Sequence, residues 1–182
     1  MIFLTQRPIL RGMNMGRLLF LVCLALAIVL PVRLWVIEPI YIATASMEPT
    51  LPVDRHLFVD KLCLRFRSLK RGDIIVLHSP TGEEGDMVKR VVALPGERVE
   101  LREKKVFVDN QEIEEPYVQH KRANEQLEGD NLGPLTVPEG GLFVLGDNRD
   151  ESKDSSAWVD SSGQRIYFIP IKSVVGLVRG IY

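Results

Sequence analysis

Met87-Val88-Lys89-Arg90-Val91-Val92-Ala93-Leu94-Pro95-Gly96 is the stretch on which the fold turns. Branched and apolar residues dominate it and a Pro-Gly pair closes it, the composition of a strand running into a turn. Successive strand side chains point to opposite faces, so Lys89 and Arg90 separate and one of them should face inward.

Working outward, no long stretch beyond residue 40 shows the 3.6-residue period of an amphipathic helix. Short β-rich runs recur instead: Leu57 to Val59, Asp73 to Leu77, Met87 to Leu94, Arg98 to Leu101, Val106 to Val108, Leu142 to Leu145 and Val174 to Val178. Turn-forming pairs separate them, among them Arg71-Gly72, Pro95-Gly96 and Gly140-Gly141. Val106 to Ile113 reads as a hairpin around Asp109-Asn110, and the polar residues 119–133 as a surface loop. The fold class is therefore mainly β, a barrel or sandwich with long connections.

The chain has a different character before residue 38. From Leu18 to Val32 there is no charged residue, and up to Ile37 only Arg33 interrupts the apolar run. About twenty helical residues span roughly 30 Å, the thickness of a bilayer's hydrocarbon core, so 18–37 is read as one transmembrane helix. Arg33 can snorkel to the headgroups and Pro31 can kink the last turn. Arg7, Arg11 and Arg17 precede the run without an acidic residue, which keeps segment 1–17 cytoplasmic and puts 38–182 on the outer side. The competing reading is a cleavable secretory signal, because Ala43-Thr44-Ala45 resembles an A-x-A site. Arg33 and Glu38 stand between the clean run and that site and count against it.

Composition narrows the chemistry. Of 182 residues, 46% are apolar and 26% charged, which suits one folded domain plus an apolar segment. A net charge of -1 supplies no concentrated positive field for a phosphate backbone, so nucleic acid is excluded as a partner. Cys23 lies in the apolar run and Cys63 well outside it, so no disulfide between them is expected. His56, His78 and His120 are scattered without metal-ligand spacing and read as solvated surface residues. No metal and no cofactor is expected.

Three segments set small or polar residues beside an apolar strand. In Ile42 to Leu51, Ser46 follows small residues and precedes Pro49, which exposes its hydroxyl; in Met87 to Gly96, Lys89 interrupts the strand; Gly146 to Ser155 is a dense polar loop after Leu142 to Leu145. Each alone is ordinary. In this order, after an apolar anchor, they resemble the type I signal peptidase family: SMEPTL at 46–51, RGDIIVL at 71–77, KRVVALPGE at 89–97 and GDNRDESKDS at 146–155, with VIEPIYI at 36–42 upstream.

The resemblance implies a signal-peptidase-like β-barrel or sandwich catalytic domain that hydrolyses leader peptides with a Ser-Lys dyad. Ser46 would be the nucleophile and Lys89 the general base. An unperturbed lysine is protonated at neutral pH, so burial must depress it, at ~1.4 kcal/mol per pKa unit. The oxyanion donors would be the Ser46 N–H and the Thr44 hydroxyl. Ser152 would contact the lysine, with Asp154 behind it, and Asp147, Asn148, Arg149 and Asp150 would shape the loop. Family members commonly follow this loop with an arginine and then Trp-Gly. Here Ser156 and Val159 take those places, so Asp154 is expected to lack its ion-pair partner.

Exported preproteins carrying A-x-A are the implied substrates, bound as an extended strand against Ile40, Ile42, Met47 and Leu51 on one side and Met87 and Val88 on the other. Implied surroundings are membrane lipid, proximity to the secretion translocon, and a single-pass place in the bacterial cytoplasmic membrane. Two rivals remain: a self-cleaving Ser-Lys protease, which carries no membrane span, and a noncatalytic membrane-anchored peptide-binding relative.

Overall fold

Most of the run from Met87 to Gly96 is an interior strand of the larger of two sheets. The computed structural model describes residues 14–82 and 85–181, so Arg7 and Arg11 of the expected cytoplasmic segment lie outside the described residues. Contacts divide the chain into two units, Met1–Val36 and Ile37–Tyr182. In the first, helix α1 runs from Met15 to Trp35 with Pro31 inside it. Among the described residues no helix is long and apolar enough to cross a membrane.

The second unit is all strand, turn and 3₁₀ helix. In chain order its strands are β1 (Ile37–Tyr41), β2 (His56–Asp60), β3 (Ile74–His78), β4 (Asp86–Ala93), β5 (Arg98–Arg102), β6 (Lys105–Val108), β7 (Gln111–Glu112), β8 (Leu132–Thr136), β9 (Gly141–Leu145), β10 (Ile169–Pro170) and β11 (Val174–Ile181). One seven-stranded sheet has the order β1-β2-β11-β3-β4-β9-β10, and a four-stranded sheet the order β7-β6-β5-β8. All strand pairings are antiparallel. The mainly β expectation holds.

Three apolar clusters fill the unit. Leu57, Val59 and Val76 pack with Ile42, Met47 and Leu51 on one face of the large sheet. Ile75, Val91, Val144 and Leu177 pack with Trp158 and Ile169 in a second cluster. Val92, Phe143 and Leu145 meet Val99, Leu101, Val106 and Val108 of the small sheet. Strand β9 is buried along its whole length. A strand covered on both faces needs an unbroken apolar run, and Leu142-Phe143-Val144-Leu145 is one.

The hairpin at 106–113 forms as expected, with Asp109 and Asn110 at φ 50° and 65°, the left-handed pair that a two-residue turn needs. Residues 119–131 are largely turn, but Leu132–Thr136 is a strand. Strands β1 and β8 carry Pro39 and Pro134, and both stand at sheet edges, where a missing N–H costs no ladder bond. One expectation is corrected: Lys89 and Arg90 are both buried. They do lie on opposite faces, but β4 sits between β3 and β9 with material packed on each side.

Candidate active site

Ser46 sits in a single 3₁₀ turn, Ala45–Met47, entered from extended Thr44. The turn is pinned by its neighbours in sequence. Met47 and Leu51 are buried in the core, and the Leu51 amide donates to the Met47 carbonyl at 2.9 Å. Thus Met47 and Leu51, expected on the substrate face, support the turn from beneath, because the turn directs their side chains at Leu57 and Val76. Ser46 itself is 8% exposed, and its Oγ stands 3.4 Å from Thr44 Oγ1.

Lys89 lies on β4 opposite Ile75 of β3 and is 4% exposed. Burial pushes its ammonium below the ordinary lysine value, opposed by the carboxylates of Asp154 and Asp147. Ser46, Thr44 and Lys89 line one cavity of about 430 Å³. Ile40, Ile42, Met87 and Val88 line it too, with Asp86, Glu151 and Lys153 also on its wall.

The polar loop after β9 braces this cavity from behind. Arg90 and Asp147 form a buried bidentate pair, with Nε to Oδ1 at 2.8 Å and Nη2 to Oδ2 at 2.5 Å. Thr50 Oγ1 donates to Asp147 Oδ2 at 2.5 Å, tying the loop to the segment after Ser46. Asn148 closes the link: its amide donates to the Ser46 carbonyl at 3.1 Å and its Nδ2 to the Ala45 carbonyl at 3.0 Å. The Arg90 guanidinium also lies 3.8 Å from the centre of the Tyr117 ring. Burial and the nearby Glu115 push the Tyr117 phenol up to about 12. Arg149 pairs with Glu115 at 2.6 Å.

Gly146 is where the loop meets the Ser46 turn. A Cβ there would lie 2.2 Å from Ser152 Oγ and 2.5 Å from the Ser46 carbonyl oxygen, so only glycine fits. Ser152 Oγ is buried without a hydrogen-bond partner. Asp154 Oδ2 accepts from the Gly146 amide at 2.9 Å, which sets its carboxylate close behind that contact.

The absent arginine after Asp154 is compensated in an unforeseen way. Ser156 donates to Asp154 Oδ1 through both its amide, at 3.0 Å, and its hydroxyl, at 2.7 Å. Gly129, at φ +94°, crosses so close that a Cβ there would meet Ser156 Oγ at 2.6 Å. The Arg165 guanidinium reaches the Ser156 carbonyl and pairs with Glu128. A serine in this place satisfies Asp154 with a neutral donor.

Sequence reasoning did not single out Thr50, Glu115, Tyr117 or Arg165. It also did not pair Arg90 with Asp147, although burial of a cation inside a strand was a signal that a carboxylate must follow. His120 is half-buried rather than solvated, its Nδ1 lying 3.4 Å from Asp150 Oδ1. His78 pairs with Asp86 at 2.7 Å.

A serine and a lysine whose pKa burial lowers line one cavity, an arrangement of the kind a Ser-Lys hydrolase requires. The family model described as "Signal peptidase, peptidase S26" matches residues 15–182. The chain is 38% identical over 138 residues to signal peptidase I P of Bacillus subtilis subsp. natto, covering 74% of each chain. It is 36% identical over 165 residues to a probable signal peptidase I-1 of Synechocystis, covering 86% of this chain and 76% of that one. The crystal structure of a signal peptidase I from Enterococcus faecalis V583 aligns at TM-score 0.47 and 32% identity, over 62% of this chain and 98% of that chain. The chain belongs to the signal peptidase S26 family. Its activity is that of a type I signal peptidase, a serine endopeptidase.

Proposed function

We propose that Ser46 is the nucleophile and Lys89 the general base of a peptidase that removes leader peptides from exported preproteins. The observation that carries this reading is that Ser46 and a lysine held below its ordinary pKa by burial line one cavity. Neutral Lys89 takes the Ser46 hydroxyl proton as Oγ attacks the scissile carbonyl, and the resulting ammonium returns it to the leaving amine. The Ser46 N–H and the Thr44 hydroxyl hold the oxyanion. Ser152, whose hydroxyl is otherwise unpartnered, orients Lys89, and Asp154 fixes that corner through Gly146. Water then frees the acyl-enzyme by the same base.

The substrate lies extended beside Ile40 and Ile42 on one side and Met87 and Val88 on the other, where small A-x-A side chains fit a cavity narrowed by branched residues. Segment 1–17 is cytoplasmic and 18–37 holds the chain once in the bacterial cytoplasmic membrane, leaving 38–182 on the outer face near the translocon. The sequence supports this: Leu18 to Val32 carries no charged residue. The large apolar side chains from Leu18 to Leu30 stand exposed, which lipid tolerates and water does not.

The test is cleavage of a leader peptide bearing A-x-A by the detergent-solubilised chain, beside Ser46→Ala and Lys89→Ala. Cutting after the second alanine by the wild type, with both variants inert, supports the dyad. Cutting that survives Lys89→Ala removes the base assignment. Binding without turnover turns the reading to a noncatalytic relative, and cleavage of the chain's own peptide alone to a self-cleaving protease.

A further inference from the structure

Besides Lys89, three charged side chains stand on the wall of the cavity that holds Ser46: Asp86, Glu151 and Lys153. Two of them are answered from within the fold. Asp86 Oδ1 lies 2.7 Å from His78 Nδ1. Glu151 Oε2 accepts from Lys121 Nζ at 3.0 Å and from Asn148 Nδ2 at 3.1 Å. Lys153 is exposed, and among the described residues no hydrogen bond or ion pair joins its ammonium.

The backbone that carries Lys153 is held on both sides. Ser152 is extended, at φ −105° and ψ 124°, and successive side chains of an extended chain point to opposite sides. Ser152 Oγ and Asp154 are both buried, with Asp154 held by the Gly146 amide and the Ser156 hydroxyl. Lys153, between two inward-facing neighbours, is turned outward to the open side of the cavity.

Lys153 also stands on the wall of a second cavity, of about 330 Å³, together with Thr81, Glu128, Trp158 and Asp160. Among the described residues it is the one that lines both. The carboxylates of the second cavity are engaged as well. Glu128 pairs with Arg165, and Asp160 Oδ1 accepts from the amides of Ser162 at 2.8 Å and Gln164 at 2.9 Å. A peptide lying along these walls therefore meets one uncompensated charge, and its sign is positive. Such a charge attracts a carboxylate and repels an ammonium, and both effects add to discrimination.

We infer that Lys153 is a specificity residue, favouring preproteins that carry an acidic side chain beside the A-x-A site and disfavouring those with a basic one there. This rests on the reading of the cavity as the peptidase site. The two alanines leave charge at neighbouring positions free to vary, so Lys153 distinguishes leader peptides that the apolar walls accept alike. No step of the hydrolysis passes through it.

The experiment uses A-x-A leader peptides that are identical except at one position, where they carry Asp, Asn or Lys. That position is moved in turn along both sides of the cut, and kcat/KM is measured with the detergent-solubilised full chain, with Lys153→Gln and with Lys153→Glu. The wild type should cut the Asp peptide faster than the Lys peptide by roughly fivefold at one position or two near ones, the size of an exposed ion pair set against a like-charge contact. Added salt should shrink the preference, Lys153→Gln should remove it and Lys153→Glu should reverse it. The Asn peptides report that each variant is folded and active; should Lys153→Glu cut none of them, Lys153→Gln and the salt series decide. Equal rates for Asp and Lys peptides at every position, a preference for Lys, or an acidic preference that survives Lys153→Gln overturns the role of Lys153 alone. A wild type that cuts no peptide overturns the peptidase reading and this inference with it.

Discussion

Lys89 is the residue whose environment does most to decide activity. Burial lowers its pKa, so the folded protein binds a proton there less readily than the unfolded chain does. If Lys89 is the base, as proposed, it acts when neutral, so the rate should rise with pH through its lowered folded-state pKa, and the acid limb should lie below the ordinary lysine range. Lys89→Arg should be inert at every pH, because a guanidinium cannot give up its proton. The linkage has the matching sign. The penalty of burying the charge is fully present below the folded pKa and is relieved as pH rises toward the unfolded value. Unfolding titrations of wild type and Lys89→Met should show stability rising with pH across that window in the wild type alone; parallel curves would mean an unperturbed lysine.

Ser156 is a second case at this scale. Its hydroxyl donates to a buried carboxylate, so Ser156→Ala should cost about 2 kcal/mol, read by urea unfolding. Ser156→Arg should cost more, since Gly129 leaves no room for a longer side chain. Equal stability of Ser156→Ala and wild type would show that Asp154 does not depend on this bond.

Among the elements, the loop after β9 matters most, because it joins β4 to the Ser46 turn through Arg90, Asp147 and Asn148. Removing one partner of a buried ion pair leaves the other charge uncompensated, so Arg90→Leu should destabilise the domain by about 3–5 kcal/mol. Asn148→Ala should be milder in stability and sharper in kinetics. It frees the Ala45 carbonyl, and a loosened Ser46 should lower kcat by about tenfold, roughly 1.4 kcal/mol, with KM little changed. A change in KM alone would place Asn148 in substrate binding instead. The central strands were legible from sequence because each is an apolar run closed by a turn signal. Strands β1 and β8 were not, because an edge strand bears only one ladder and tolerates proline and charge that a central strand would not.

For the whole molecule, the anchor reading predicts that the chain stays with membranes through high-salt and alkaline washes and is released by detergent, assayed by immunoblot of the fractions. Release by alkali would indicate peripheral attachment.

What the sequence determined by itself is whatever depends on local pattern: the β class, the apolar segment and, through four ordered motifs, the family. These survive without a structure because alternation, turn chemistry and motif order are properties of neighbouring residues. Only the tertiary structure decided that Lys89 and Arg90 are both buried, that Asp147 answers Arg90 across 57 positions, and that Met47 and Leu51 face the core. It also decided that Ser156, under Gly129, satisfies Asp154 in place of an arginine. Each of these is a contact between segments distant in the chain. Burial and close packing fix such contacts, and no local pattern encodes which segments will meet.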